Sequence, residues 1–277
     1  MKLLVIGDRL LDRYYVGKIK RLNPESHRSP LLQVSSTVEC PGGAGNVAAC
    51  LLAMGVSTVG AYGSGAEIIK HRVLDIDEGI VARFDEDSLQ NPVEVDRIVR
   101  LSHGCDAVVV SDYLKGSVNE EVAKAVRYLH LPTFVDVKGN ARWWCDWVFA
   151  AIPNHLEYLA EREHYDRVNV CLVKEGKMGA SILHYGVKAA TVCSEAINVN
   201  NVTGAGDVVT ATFAAAMLAR NAPTFTDLKD VKVAARIAMK MAAVAVAGKY
   251  TTVPKLIDAS LTEEEMEVFQ GCQVKSR

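Results

Sequence analysis

The chain has 277 residues, 49% of them hydrophobic and 23% charged, with 31 Lys+Arg against 33 Asp+Glu for a formal net charge of −2. That length can bury a sizeable core, and the near-neutral balance argues against a chain whose main task is to grip nucleic acid or an anionic membrane. No apolar run approaches the roughly 18 residues of a membrane span. Gly7-Asp8 cuts off the apolar start before it reaches the length of a signal-peptide core, so a cytoplasmic protein is expected.

Short β-branched runs alternate with helical patterns, which predicts an α/β fold with a mostly parallel sheet. Lys2–Ile6 reads as a buried strand. Tyr14–Ile19 and Leu31–Val38 read as extended segments flanking a loop at 21–30, together forming a small flap. Ala44–Met54 is a small-residue helix, Val56–Tyr62 a strand, and Ile68–Leu74 and Ile80–Phe84 further extended runs. Helix Glu94–Leu101, strand Ala107–Val110, helix Asn119–Leu129 and strand Thr133–Val137 follow. Next come strand Trp147–Ala151, a helix from Asn154, strand Val168–Val173 and a hairpin turning at Tyr185-Gly186. Two Ala-rich helices, about 204–220 and 228–247, close the pattern. With no repeat and no Pro/Gly-rich linker, residues 1–277 read as one domain with a lid at about 14–38 and 68–84.

The seven cysteines are odd in number, scattered and lack a C-x-x-C pair, so reduced thiols are expected rather than a disulfide framework or a zinc site. The strongest local signal is Val202-Thr203-Gly204-Ala205-Gly206-Asp207 opening a helix. Backbone N–H groups of Gly204, Ala205 and Gly206 would hold an anion at that N-terminus. Asp207 beside them would accept the proton of an attacking hydroxyl. The same residues also read as an ordinary capped helix start. Neither a Walker A loop nor a G-x-G-x-x-G after the first strand occurs.

Asn154 and Glu157 form N-x-x-E, which is a capping box or a carboxylate holding magnesium through water beside phosphates. Gly42, Gly43 and Asn46 open another helix, as a tight turn or as bare backbone and an amide facing a polyol. Asp8 and Asp12 follow the first strand, as turn residues or as carboxylates gripping sugar hydroxyls. Arg21, Arg72, Arg83, Lys115 and Lys138 lie near strand ends, as solvated charges or as phosphate ligands.

Together these motifs resemble the ribokinase-like (PfkB) carbohydrate kinases. GDRLLDRYYVGKIKRLNPES and PGGAGNVAACLLAMG look like the start of the D-glycero-D-manno-heptose 7-phosphate kinases within them. VVSDYLKG, FVDVKG, AIPNHLEYL, VNNVTGAGDVVTATFAAAML and AVAVAGKYTT continue the likeness in order, from Lys2 to about Val253. The resemblance implies a three-layer α/β/α sandwich with a β lid, and ATP with Mg²⁺ as cofactors. It implies a sugar phosphate as substrate, phosphorylated at its anomeric hydroxyl, and lipopolysaccharide precursor synthesis as the setting. By motif, Asp207 would be the base, Gly204–Gly206 the anion hole, and Asn154 and Glu157 the magnesium and phosphate residues. Lys174, Gly176 and Gly179 of KEGKMG would face the nucleotide. Asp8, Asp12, Gly42, Gly43, Asn46 and Asp112 would face the sugar. A homodimer through the lid is a further expectation.

The sequence departs from that pattern in four places. A stretch that relatives use for a helix and a neighbouring strand is missing after Gly65, which is expected to shorten the lid or bare a sheet edge. Asn201 stands where an Asp is usual, which puts a monovalent-cation site in question. His27-Arg28-Ser29 replaces a more apolar lid loop and bears on substrate choice. No nucleotidyltransferase module follows within these residues. Two alternatives stay open: a kinase for another sugar or sugar phosphate, and a trimmed non-catalytic nucleotide- or sugar-binding homologue.

Overall fold

The computed structural model describes residues 1–195, 198–220 and 227–273, with 27, 28 and 270–273 described in backbone only. The chain opens with β1 (Lys2–Gly7), the ribbon strands β2 (Arg9–Asn23) and β3 (Ser26–Gly43), and α1 (Ala44–Ala53). Then come β4 (Ser57–Tyr62), β5 (Ile68–Asp75), β6 (Gly79–Glu86), α2 (Val95–Ser102), β7 (Ala107–Asp112), α3 (Glu120–Tyr128) and β8 (Thr133–Val137). Next are β9 (Ala150–Ala151), α4 (His155–Ala160), α5 (Arg162–Tyr165), β10 (Val170–Lys174), β11 (Ala180–His184) and β12 (Val187–Val192). The helices α6 (Ala205–Ala219), α7 (Leu228–Ala247) and α8 (Glu263–Gln273) complete it.

The main sheet has the order β12-β11-β10-β9-β8-β7-β1-β4. Its strands from β4 to β10 pair in parallel, and β11 and β12 add an antiparallel hairpin. The central strands are apolar on both faces because both are covered. Leu3 and Val5 of β1, with Ala107 and Val109 of β7, pack with α1, α6 and α7. Leu4 and Ile6, with Val108 and Val110, pack with α2 and α3 on the other side. Ala211, Ala214, Ala215 and Ala216 of α6 are fully buried, so their small side chains bring that helix close to the sheet. This is an α/β sandwich with a mostly parallel sheet, as the alternating pattern predicts.

A second sheet, in the order β3-β2-β5-β6, forms the lid. β5 pairs in parallel with β2 from Leu10↔Ile68 to Gly17↔Asp75, so the chain after Gly65 enters the lid directly. The lid is therefore four strands wide, and the bared edge lies elsewhere, at β4 of the main sheet. The loop expected at 21–30 is instead strand: only Pro24 and Glu25 turn, and β3 runs on through Pro30 opposite Leu22. A proline is tolerated there because β3 is an edge strand, whose outward N–H is not needed for pairing.

The strand expected at Trp147–Ala151 shrinks to Ala150–Ala151. The preceding chain coils through a helical turn at Ala141–Trp143 that drops Trp144 wholly into the core. The helix from Asn154 breaks at Glu161 into α4 and α5. Helix α8 was not expected from its acidic sequence; Val268 and Phe269 bury one edge of it against the α6–α7 core.

Candidate active site

The carboxyl ends of β1, β7, β8 and β10 and the amino end of α6 converge beneath the lid. The sheet order reverses between β1 and β7, which opens a crevice of the kind where ligands bind in open α/β sheets. Gly204 takes φ +77° as the cap of α6; a Cβ there would stand 2.6 Å from Asn46 Nδ2 and 2.8 Å from Thr251 Cγ2. Only glycine permits both that backbone turn and that close approach.

Asp207 lies in the first turn of α6 with 2% of its surface exposed. Its Oδ2 accepts Asn46 Nδ2 from α1 at 3.1 Å, and its Oδ1 accepts the Tyr113 hydroxyl at 2.8 Å. Burial pushes its pKa up to about 6, partly opposed by the Asn46 bond, with Asp136 also raising it and Tyr113 and Lys138 lowering it. A carboxylate so placed is mostly ionised at neutral pH and has the basicity that proton abstraction requires.

At the mouth of α6, the Ala205 N–H bonds the Val202 carbonyl at 3.3 Å. The Ala205 N–H, one of the three expected to face an anion, is thus engaged in a turn. Lys174 Nζ stands against Gly206, where a Cβ would come within 3.4 Å of it. The same ammonium bonds Asp136 Oδ2 at 2.6 Å, Lys138 Nζ bonds Asp136 Oδ1 at 3.2 Å, and Thr210 Oγ1 donates to Oδ2 at 2.9 Å. Burial raises the Asp136 pKa, but the two lysines outweigh it and hold the carboxyl at about 2. Asp136 was not singled out from the sequence; the D-x-K step at the end of β8 is the signal that points to it.

The Asn154/Glu157 capping box is fully formed. Asn154 Oδ1 accepts Glu157 N at 2.9 Å, and Glu157 Oε2 accepts Asn154 N at 2.7 Å. Glu157 Oε1 also accepts Asn154 Nδ2 at 2.6 Å and pairs with Lys138 Nζ at 3.1 Å. Among the described residues no cluster of three or more His, Cys, Asp or Glu side chains forms a metal cage. One carboxylate with remaining lone pairs, next to two lysines suited to a polyphosphate, fits a magnesium ion that keeps its waters and leans on phosphate oxygens. Lys174 bridges to Asn154 at the strand end, and Gly176 and Gly179, both at positive φ, shape the turn from β10 to β11.

On the lid side, Asp12 is 3% exposed and accepts Arg72 Nη2 at 2.7 Å and Thr251 Oγ1 at 3.0 Å. Gly42 stands against Asp12 Oδ2, and Gly43 caps α1 at φ +54°. The buried Tyr14 hydroxyl accepts Thr251 N at 2.9 Å and Asn201 Nδ2 at 3.0 Å. Asn201 Oδ1 accepts Thr203 N at 2.9 Å, and its Nδ2 also reaches the Lys249 carbonyl at 3.2 Å. The residue that departs from the usual Asp is thus the knot between the lid, the loop before α6 and the segment after α7.

Several of the residues expected at the sugar and its phosphate have partners within the fold. Asp8 accepts the backbone N–H groups of Tyr113, Lys115 and Ser117 at 2.7, 3.1 and 3.1 Å, so its carboxylate staples that loop. Asp112 is fully buried and accepts Leu114 N at 2.8 Å; burial pushes its pKa up to about 7. Lys115 pairs with Asp87 at 2.7 Å and Arg83 with Asp85, while Arg21 lies exposed toward the lid tip. Lys138 belongs to the Asp136–Glu157 side of the site. The side chains of His27 and Arg28 lie outside the described residues. The six cysteines whose side chains are described form no disulfide.

A profile of the pfkB family carbohydrate kinases matches residues 85–257. The chain belongs to that family. Membership places it among the phosphotransferases that use an alcohol group as acceptor. Its curated relatives include the bifunctional protein HldE of Erwinia tasmaniensis, 30% identical over 79% of this chain and 55% of that protein. HldE of Marinomonas sp. is 31% identical over 77% and 55%. This pfkB-family chain spans about half the length of the curated relatives it matches. Among solved structures, the microbiome-derived acarbose kinase Mak1 superposes with a TM-score of 0.72 at 16% identity, covering 97% of this chain and 98% of that one. Ribokinase of Arabidopsis thaliana, complexed with ribose and ATP, gives 0.67 at 19%, covering 97% and 98%. These likenesses establish the fold. Among the described residues no helix is long and apolar enough to cross a membrane.

Proposed function

We propose that the protein transfers the γ-phosphoryl group of ATP to a sugar hydroxyl, with D-glycero-D-manno-heptose 7-phosphate as substrate and its anomeric hydroxyl as acceptor. The observation that carries the transfer is Asp207: a buried carboxylate in the first turn of a helix, beside free backbone N–H groups and the Lys174 ammonium. Asp207 takes the hydroxyl proton as the oxygen attacks phosphorus. Asn46 and Tyr113 hold the carboxylate in place. The N–H groups of Gly206 and Asp207, with Lys174 and Lys138, stabilise charge on the transferring group, because phosphoryl transfer is mainly positioning and electrostatics. Magnesium would be held by Glu157 through water and by the nucleotide's phosphates, and when bound it neutralises charge there. Asp12, Gly42, Gly43 and Asn46 face the sugar.

The heptose assignment draws on the likeness to HldE, matched over about half of that protein's length, and on the motif order from Lys2 to Val253. The survival of Asp207, Asn154, Glu157 and the glycines favours a catalyst over a trimmed binding protein, which would have no use for a base. ADP release with this heptose phosphate and a panel of other sugars tests both points. Asp207→Asn is expected to lower turnover by about 10²–10⁴-fold with nucleotide affinity little changed; unchanged turnover overturns the base.

The lid also supports a dimer. Its outer face stacks Tyr15, His71 and Phe84, with His71–Phe84 centroids 4.4 Å apart and Phe84 51% exposed. Covering that face and its edge strands with a second lid removes an aggregation hazard. Sedimentation at micromolar concentration is expected to show a dimer that Phe84→Asp converts to monomer.

A further inference from the structure

The β registers put Asp12 and Tyr14 of β2, Lys70 and Arg72 of β5, and Arg83 and Asp85 of β6 on one face of the lid. That face looks into the site, since Tyr14, Asp12 and Arg72 are all buried. Its charges do not cancel. Arg72 is matched by Asp12 at 2.7 Å, and Arg83 by Asp85 at 2.7 Å through Nε. Lys70 has no such match: among the described residues its Nζ makes no ion pair or hydrogen bond, and its contact is the face of the Tyr113 ring, 4.7 Å from the centroid. The side chain is half-buried. Burial, and then the charge of Arg83, hold its ammonium below the ordinary lysine range, although Asp12 and Asp85 pull the other way. A half-buried cation without an anion is disfavoured unless a ligand supplies one.

Tyr113 gives this cation a place relative to the chemistry. The hydroxyl of that ring donates to Asp207, and Lys138 lies 5.0 Å from the same ring centroid, bonded to Asp136 and Glu157. Lys70 therefore stands on the ring whose hydroxyl bonds Asp207, within a few ångströms of that carboxylate's site. An acceptor held between the lid and Asp207 would have Lys70 as the unpaired cation on its lid side. Arg72 and Arg83 are each neutralised by a carboxylate, which leaves Lys70 as the net positive charge among these six side chains.

We infer that Lys70 binds the phosphate carried by the acceptor sugar at the end remote from the hydroxyl that is phosphorylated. The inference rests on the reading of the chain as a sugar kinase and assigns the residue that selects phosphorylated over free sugars. None of the five basic residues expected from the sequence has this combination of position and free charge.

Calorimetry and ADP-release kinetics on the full chain test it. The probes are D-glycero-D-manno-heptose 7-phosphate, fructose 6-phosphate and mannose 6-phosphate, each beside its unphosphorylated sugar. Wild type is expected to bind at least one phosphorylated member roughly ten- to a hundredfold more tightly than its free sugar. Lys70→Met is expected to erase that preference, leaving affinity for the free sugar and for ATP unchanged, which also shows the variant folded. Lys70→Arg is expected to keep most of it. A preference intact in Lys70→Met overturns the assignment, as does a wild type that binds phosphorylated and free sugars equally. A loss of kcat in Lys70→Met that is equal for both classes would place Lys70 in the transfer step instead and equally overturns it. Binding that behaves as expected without ADP from any sugar would leave the subsite standing and remove the kinase reading.

Discussion

Asp207 shows how one buried carboxylate couples activity to stability. Its pKa rises from an ordinary 3.8 to about 6 because burial outweighs the Asn46 and Tyr113 donors. The proton is therefore held more tightly in the folded chain than in the unfolded one. Stability linked to it is fully present below the ordinary value and is lost as pH rises through about 6. The difference corresponds to on the order of 3 kcal/mol at neutral pH. Asp207→Asn is thus expected to raise the thermal midpoint at pH 8 while lowering turnover, and to converge with wild type near pH 4. Equal midpoints at pH 8 would show that the ionised carboxylate is fully compensated by its donors. In wild type, turnover is expected to climb with pH through about 6 as the base ionises. Asn201 differs in kind: both ends of its amide are bonded to Thr203, Tyr14 and Lys249, a structural knot where the usual Asp would leave a charge.

Among the elements, the lid and the α6 terminus depend on each other through a few buried hydroxyls. The Tyr14 hydroxyl accepts from Thr251 N and Asn201 Nδ2 and lies 2.8 Å from Thr251 Oγ1, which in turn meets Asp12. Tyr14→Phe leaves buried donors without an acceptor and is expected to cost about 1–3 kcal/mol, read by urea unfolding. It is also expected to raise the KM for sugar more than that for ATP, because Asp12 loses its support while the Asp136 cluster is untouched. An equal rise in both would place the network on the nucleotide side. The Asn154/Glu157 box joins two tasks: the bonds that cap α4 also aim Glu157 Oε1 at Lys138, so helix capping and that ion pair share one side chain.

At the scale of the whole molecule, the chain after Gly65 goes straight into the lid, and β4 is left as the edge of the eight-stranded sheet. Helices α1 and α2 cover its faces, but among the described residues its outward N–H and C=O groups have no strand beside them. Hydrogen exchange is expected to be fast at the outward amides of β4 and slow throughout β1 and β7, which are paired on both sides. Protection of β4 equal to that of β1 would mean that another segment covers the edge.

Much of this architecture was legible from local pattern. Apolar β-branched runs of strand length, the Gly-Ala-Gly-Asp helix start and the N-x-x-E box are statements about neighbours in the chain, where backbone sterics and capping act within a few residues. So the alternation of strands and helices, the position of Asp207 and the double reading of Asn154 and Glu157 could be drawn from residues alone. The partners could not. Whether Asp8 meets a sugar or a loop depends on Tyr113, Lys115 and Ser117, more than a hundred residues away. That Lys70 faces the lid's inner side without a carboxylate depends on how three lid strands register. Sequence determined the kinds of group present and their local geometry. Tertiary structure alone decided which charges cancel, because burial and ion pairing are set by groups that only folding brings within a few ångströms.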